Sequence, residues 1–305
     1  MRWAAKSRRR HHVAGAALRT ASPLLPRKAP PQDPVFVIGS PRSGTTMLLN
    51  MLDRSPALAS LGMGSHFLWE MYHPFDSEQG HAVRPEVITA AERRTLNFTI
   101  DRICGGIRYL DKYPRMCLRV EYLHAMYPDA WFVYISRDGR AAASSMMTGW
   151  RTEGKFGAGT DLPVPLRIDG YDGDVWKFLV PPGWQEFAQG HTLAEVCAFQ
   201  WSAANAAALD ARDRIGSERF LSVRYEQLVE QPTETVGGLL DALGLPHDGV
   251  LEWASELDQR VSRTAVTPPR PDKWRDENPE AIESVLGLLA PTMSRLGYEL
   301  DAVAV

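Results

Sequence analysis

The sequence predicts a three-layer α/β fold, a central and mainly parallel sheet flanked by helices, and three observations carry that expectation. Apolar runs at 35–38 (VFVI) and 131–135 (WFVYI) read as strands buried on both faces, and each runs straight into a polar loop that opens a helix. Helical periodicity alternates with such runs along the chain. With 305 residues and 44% hydrophobic content, the chain is long enough to bury one large core. A single domain is therefore expected over 34–300, between a basic, Pro-rich flexible tail at 1–33 and a short tail at 301–305.

The first strand leads into Gly39-Ser-Pro-Arg-Ser-Gly44-Thr-Thr46 and a helix expected at 44–53. This is a P-loop-type frame, two glycines with four residues between them ahead of a helix N-terminus, whose unpaired N–H groups and positive dipole end favour an oxyanion. Nucleotidases of this type carry a Lys after the second Gly and use the next Ser/Thr to hold Mg²⁺. Here that Lys position is Thr45, while Arg42 sits inside the loop. Arg42, Ser43, Gly44, Thr45 and Thr46 together offer a planar cation, three hydroxyls and close backbone approach. They suit a phosphate or sulfate that needs no metal.

Further elements follow in order. Residues 86–104 read as an amphipathic helix, 107–110 as a short strand after a Gly-Gly break, and 114–126 as a helix. The strand at 131–135 ends in Ser136-Arg137, and a helix opens at Asp138. Arg137 at a strand end suits bidentate anion recognition, and Ser145, two turns along the helix, lies on a face that returns toward it. Residues 150–190 are rich in Gly, Pro and Asp but carry seven aromatics, which fits a long functional loop, a lid or insertion over an acceptor. A helix at 192–215, a strand at 220–226, a helix at 232–243 and a final helix at 279–296, closed by Gly297, complete the body.

Charge and cysteine content exclude several classes. Residues 1–32 hold eight Lys/Arg and no acid, leaving 26 basic against 37 acidic residues in the rest, a balance of −11. The body is not a nucleic-acid binder by charge. The tail offers at most weak contact with an anionic membrane surface. Cys104, Cys117 and Cys197 lack metal-ligand spacing and read as reduced thiols, so a cytoplasmic location and no metal site are expected. Oligomeric state is not encoded in any pattern of this kind.

PRSGTT after a first strand, then strand–SRDGRAAASS roughly ninety residues on, resembles the two-part signature of sulfotransferases that use 3′-phosphoadenosine 5′-phosphosulfate (PAPS). DKYP at 111–114 is similar to the family's Lys-x-Pro element. RYEQLVEQP at 224–232 and SRTAVTPPRPDKW with the closing LGYEL resemble its late segments. The resemblance covers about 34–300, nearest to a bacterial branch akin to tyrosylprotein and carbohydrate sulfotransferases.

It implies that Arg42 to Thr46 bind the 5′-phosphosulfate, that Arg137 and Ser145, eight residues apart, bind the 3′-phosphate, and that Lys112, Lys273, Trp274 and Ser262 contact the donor or the reacting group. Relatives place a catalytic Glu where Met63 or Gly64 stands here, so His66 and Glu70 become the candidate bases. The implied activity is metal-independent sulfuryl transfer to a hydroxyl of a carbohydrate, lipid-linked or small-molecule acceptor. Two other readings stand beside it. One is a noncatalytic nucleotide or anion sensor on the same fold. The other is a P-loop kinase or NTPase, which would require Lys at 45 and an acidic strand end.

Overall fold

The computed structural model describes residues 15–62, 65–152, 159–256 and 271–299. Its centre is a five-stranded sheet of β1 (Val35–Ile38), β2 (Leu58–Ala59), β3 (Arg108–Asp111), β4 (Trp131–Ser136) and, last in sequence, β8 (Phe220–Arg224). The order is β2-β3-β1-β4-β8 and every pairing is parallel. The chain moves from β1 to the β2–β3 side and then crosses to β4, so β1 lies at the point where strand order reverses. In such sheets the crevice beyond the strands' carboxyl ends is where ligands bind.

Alternation along the strands divides the core. Phe36 and Ile38 of β1, with Phe132 and Tyr134 of β4, pack under α3 (Ala90–Cys104), α4 (Val120–Met126) and α6 (Leu193–Ile215). Val35, Val37, Val133 and Ile135 face the other way, onto α1 (Thr45–Leu52), α8 (Pro232–Leu243) and α9 (Val250–Ser255). Both faces are covered, which is why these strands read as continuous apolar runs. The remaining helices are α2 (His66–Glu70), α5 (Gly139–Arg151), α7 (Tyr225–Glu230), α10 (Trp274–Glu277), α11 (Pro279–Glu283) and α12 (Leu286–Arg295).

Local chemistry sets several boundaries. Thr89 and Thr192 form capping boxes with Glu92 and Glu195, so α3 begins after Thr89 rather than at 86. The helix expected at 114–126 divides into a 3-10 turn at Met116–Leu118 and α4, and the final helix divides into α11 and α12.

Two expectations are corrected. The described part of 150–190 is not one long loop: β5 (Thr160–Asp169), β6 (Tyr171–Trp176) and β7 (Gln189–Thr192) form a second sheet in the order β6-β5-β7. Leu162, Leu166, Ile168 and Trp176 turn inward onto α5 and α6, and Trp150 and Trp184 are buried in the same cluster. Residues 15–33 do not form a free tail either. They are helical at 15–21, turn at Ser22–Leu24, and run over α3, with Ser22 Oγ donating to Ala91 O at 2.8 Å and Lys28 paired to Asp101 at 2.9 Å. Side chain to carbonyl contacts over long sequence separations fasten this segment, and no local periodicity announces them.

Candidate active site

Three strand ends converge at the crevice. Beyond β1, Ser40 and Ser43 share a hydroxyl hydrogen bond of 2.6 Å, and Gly44 caps α1 with φ 90°. A Cβ on Gly44 would stand 2.7 Å from the Tyr225 ring, so glycine is required on two counts. Arg42 itself lies at φ 68°, an uncommon left-handed conformation for a side-chain-bearing residue, in the loop it shares with these donors.

Arg137, at the end of β4, donates Nη1 to Arg42 O at 2.8 Å and stacks over Tyr225 with its guanidinium carbon 4.2 Å from the ring centroid. Arg42 in turn donates Nε to Ser145 Oγ on α5 at 3.2 Å. The structure thus brings Arg42, Arg137 and Ser145 into one chain of contacts, with Arg42 between the other two. Burial, and then the neighbouring Arg137 charge, lower the Arg42 guanidinium to about 10. A buried and a half-buried guanidinium, linked in one chain of contacts, form a ready anion seat.

The third strand end is β3. Lys112 is 6% exposed and its ammonium is lowered to about 8, first by burial and also by the Arg42 charge, with Asp111 opposing both. Asp111 is fully enclosed. It accepts Tyr109 Oη at 2.6 Å, Trp69 Nε1 at 2.7 Å and its neighbour's N–H, that of Lys112, at 2.7 Å. Burial raises its carboxyl above the ordinary range, while these donors and Ser65 pull it back.

The α2 helix stands over this corner. Glu70 accepts hydrogen bonds from Tyr113 Oη and Arg115 Nη1, and Arg115 reaches on to Thr160 Oγ1 of β5 at 3.0 Å. His66 opens the same helix, half-buried, with its ring 6.4 Å from that of Tyr113. Residues 66 and 70 are one helical turn apart and share a face. Met63, Gly64 and Ser262 lie outside the described residues.

The C-terminal segment also returns to α5. Trp274 sits between Arg140, 5.2 Å from its ring centroid, and Arg275, at 4.6 Å. Asn278 Nδ2 donates to Ser144 Oγ at 2.8 Å, beside Ser145. Lys273, half-buried, precedes Trp274. Asp138 caps α5 through Arg140 N at 2.8 Å and pairs with the Arg140 side chain at 2.7 Å, which leaves Arg137 to Arg42 and Tyr225.

Sequence reasoning missed Asp111, Tyr225 and Arg115. The first two stand inside DKYP and RYEQL, motifs already quoted, where a polar or aromatic neighbour of a singled-out residue is the available signal. Arg115 gives none, because its partners Glu70 and Thr160 are both 45 residues away.

A model of the sulfotransferase family matches residues 34–162 and 179–249. The chain belongs to the sulfotransferase family. It is 26% identical over 298 residues to protein-tyrosine sulfotransferase A of Caenorhabditis elegans, covering 88% of this chain and 68% of that protein. It is 26% identical over 310 residues to the nodulation protein NoeE of Sinorhizobium fredii, covering 87% and 65%. A protein-tyrosine sulfotransferase of Drosophila melanogaster is 23% identical over 289 residues, covering 87% and 51%. The chain therefore spans about half to two thirds of the length of these curated relatives.

Among solved structures, sulfotransferase STF9 from Mycobacterium avium superposes with a TM-score of 0.59 at 17% identity, over 90% of this chain and 79% of that one. The sulfotransferase domain of the Synechococcus PCC 7002 olefin synthase gives 0.54 at 18%, over 90% and 98%. The shared feature is the sulfotransferase fold, a central parallel sheet between helical layers. The family match omits 163–178, which is most of the β5–β6 hairpin.

Proposed function

We propose that this sulfotransferase moves a sulfuryl group from PAPS to an acceptor hydroxyl without a metal. The convergence of Arg42, Arg137 and Lys112 at three adjacent strand ends carries the reading. The residues fit a doubly anionic nucleotide. Arg137 Nε is buried with no hydrogen-bond partner, a donor waiting for an acceptor. Thr45 and Ser136-Arg137 stand where a kinase would need Lys and an acidic strand end, which speaks against ATP.

In this reading the Arg42–Thr46 loop holds the 5′-phosphosulfate, and Arg137 with Ser145 holds the 3′-phosphate. Trp274 packs against α5 through Arg140, and Lys273 precedes it. PAPS, once bound, supplies an activated sulfur whose bond to the bridging phosphate oxygen breaks as the acceptor oxygen attacks in line. Arg42 and Lys112 neutralise the charge that gathers on the departing bisphosphate, so their contribution is electrostatic and needs no rearrangement at the moment of transfer.

His66 takes the proton from the acceptor hydroxyl. Glu70 is less suited, because its Oε1 is already engaged by Tyr113 and Arg115. The acceptor is a carbohydrate, lipid-linked or small-molecule hydroxyl, and the reaction belongs to the cytoplasm. Among the described residues no helix is long and apolar enough to cross a membrane.

Calorimetric titration with adenosine 3′,5′-bisphosphate, with ATP as comparator, tests the donor. Selective binding of the bisphosphate supports the proposal. Preference for ATP, or no binding of either, overturns it. Transfer of labelled sulfate to a panel of sugar, lipid-linked and phenolic hydroxyls then identifies the acceptor.

A further inference from the structure

Residues 15–31 lie ahead of the family match, which begins at 34, yet they grip the helix that carries His66 and Glu70. Arg19 donates Nη1 to Met71 O at 3.0 Å, and Met71 is the residue that closes α2. Gly15 comes so near that a Cβ there would stand 3.0 Å from Met71 Cβ, and Leu18 packs into the cluster that holds Trp69 and Met71. Beyond this contact the segment is fixed to α3. Ser22 reaches Ala91 O, Arg94 Nη1 donates to Pro23 O at 3.0 Å, and Lys28 pairs with Asp101.

The α2 helix needs such a hold. Five residues do not sustain a helix in isolation, and Ser65 makes no side-chain capping bond to it. From the core side, Arg119 donates to the carbonyls of Trp69, His73 and His81. From the outer side Arg19 supplies the matching cation, placed where a helix C-terminus favours positive charge. What α2 positions is the chemistry: Trp69 holds Asp111 beside Lys112, and Glu70 and His66 face the same corner.

We propose that residues 15–31 are a strap that sets the position of α2, with Arg19 as its positioning residue. The kinetic consequence rests on the sulfuryl-transfer reading; the structural one does not. The test compares Arg19→Ala, Arg19→Lys and Arg94→Ala in the full chain by amide hydrogen exchange, bisphosphate titration and sulfuryl-transfer kinetics. Arg19→Ala should speed exchange across 66–73 by about tenfold and leave 45–52 and 139–151 unchanged. It should lower kcat by about tenfold while the bisphosphate Kd stays within about twofold, since only the reacting corner is loosened.

Arg19→Lys, which keeps a donor at Met71 O, should restore most of both effects. Arg94→Ala loosens the strap on α3 alone and should leave kcat near wild type. Unchanged exchange at 66–73 in Arg19→Ala overturns the proposal. So does a fall in kcat matched by an equal loss of bisphosphate affinity, which would be a general folding defect. If the wild type transfers no sulfuryl group but Arg19→Ala still frees 66–73 alone, the strap stands and the assigned activity falls.

Discussion

Arg42 donates Nε to Ser145 Oγ across 3.2 Å, so the loop after the first strand and the helix after the fourth are joined through the Arg42 side chain. The residues are 103 positions apart in sequence, and under the proposed function this contact joins the two halves of the bisphosphate seat. Loss of either end should be felt at both. Ser145→Ala is expected to weaken adenosine 3′,5′-bisphosphate binding by about five- to tenfold, the net worth of an ordinary hydrogen bond. Calorimetry that shows unchanged affinity would remove Ser145 from the seat.

Arg137 should matter more. Arg137→Ala removes a cation that faces the crevice, and we expect bisphosphate affinity to fall by about a hundredfold. Arg137→Lys keeps the charge but gives up the planar fork and the stack on Tyr225, so it should recover only part of the loss. Full recovery by Lys would show that charge alone is read.

Lys112 gives the reaction an alkaline limit. Its ammonium titrates at about 8 in the unliganded protein and only the charged form can neutralise a leaving anion, so kcat/KM should fall as pH rises through that value. Bound anion favours the charged form, and the corresponding fall in kcat should therefore lie at higher pH. Lys112→Met should remove the limb along with most of the activity. A flat profile from pH 7 to about 9.5 in the wild type would contradict the role.

Asp111 sets where that limit falls. It raises the Lys112 ammonium against burial and against Arg42. Asp111→Asn removes the raising charge, so the alkaline limb should move to lower pH. A shift upward, measured as the pH profile of kcat/KM, would reverse the assigned sign.

Gly44→Ala tests the seat's backbone. The new methyl meets the Tyr225 ring at 2.7 Å in a residue at φ 90°, and the combined strain should cost about 2–4 kcal/mol in urea unfolding. It should also abolish bisphosphate binding. A cost under about 0.5 kcal/mol would mean that the loop relaxes freely.

Much of the strand-end cluster could be read before any coordinates. Strand-to-helix turns, Arg42, Arg137 and Ser145 are local patterns, and local patterns survive in a linear chain. The rest was less legible. Thr160 to Trp176 forms a hairpin whose alternation is broken by Pro163, Pro165 and Gly173, so the loop reading prevailed over the strand. The segment before β1 has the composition of a solvated tail, and only long-range contacts such as Arg19 to Met71 hold it down. Glu70's engagement by Tyr113 and Arg115 is likewise a tertiary fact, invisible to spacing.

His81 ties both ends of that hairpin to one place, with Nε2 against Thr160 Oγ1 at 3.2 Å and Nδ1 accepting from Val180 N at 2.7 Å. The chain leaves the body and re-enters it at the same knot, across the stretch where the family match is interrupted. The hairpin is therefore closed at its base by a buried imidazole. Its inner residues are core against α5, the helix that carries Ser145, so a change in the hairpin's length or packing reaches the strand-end cluster through that helix.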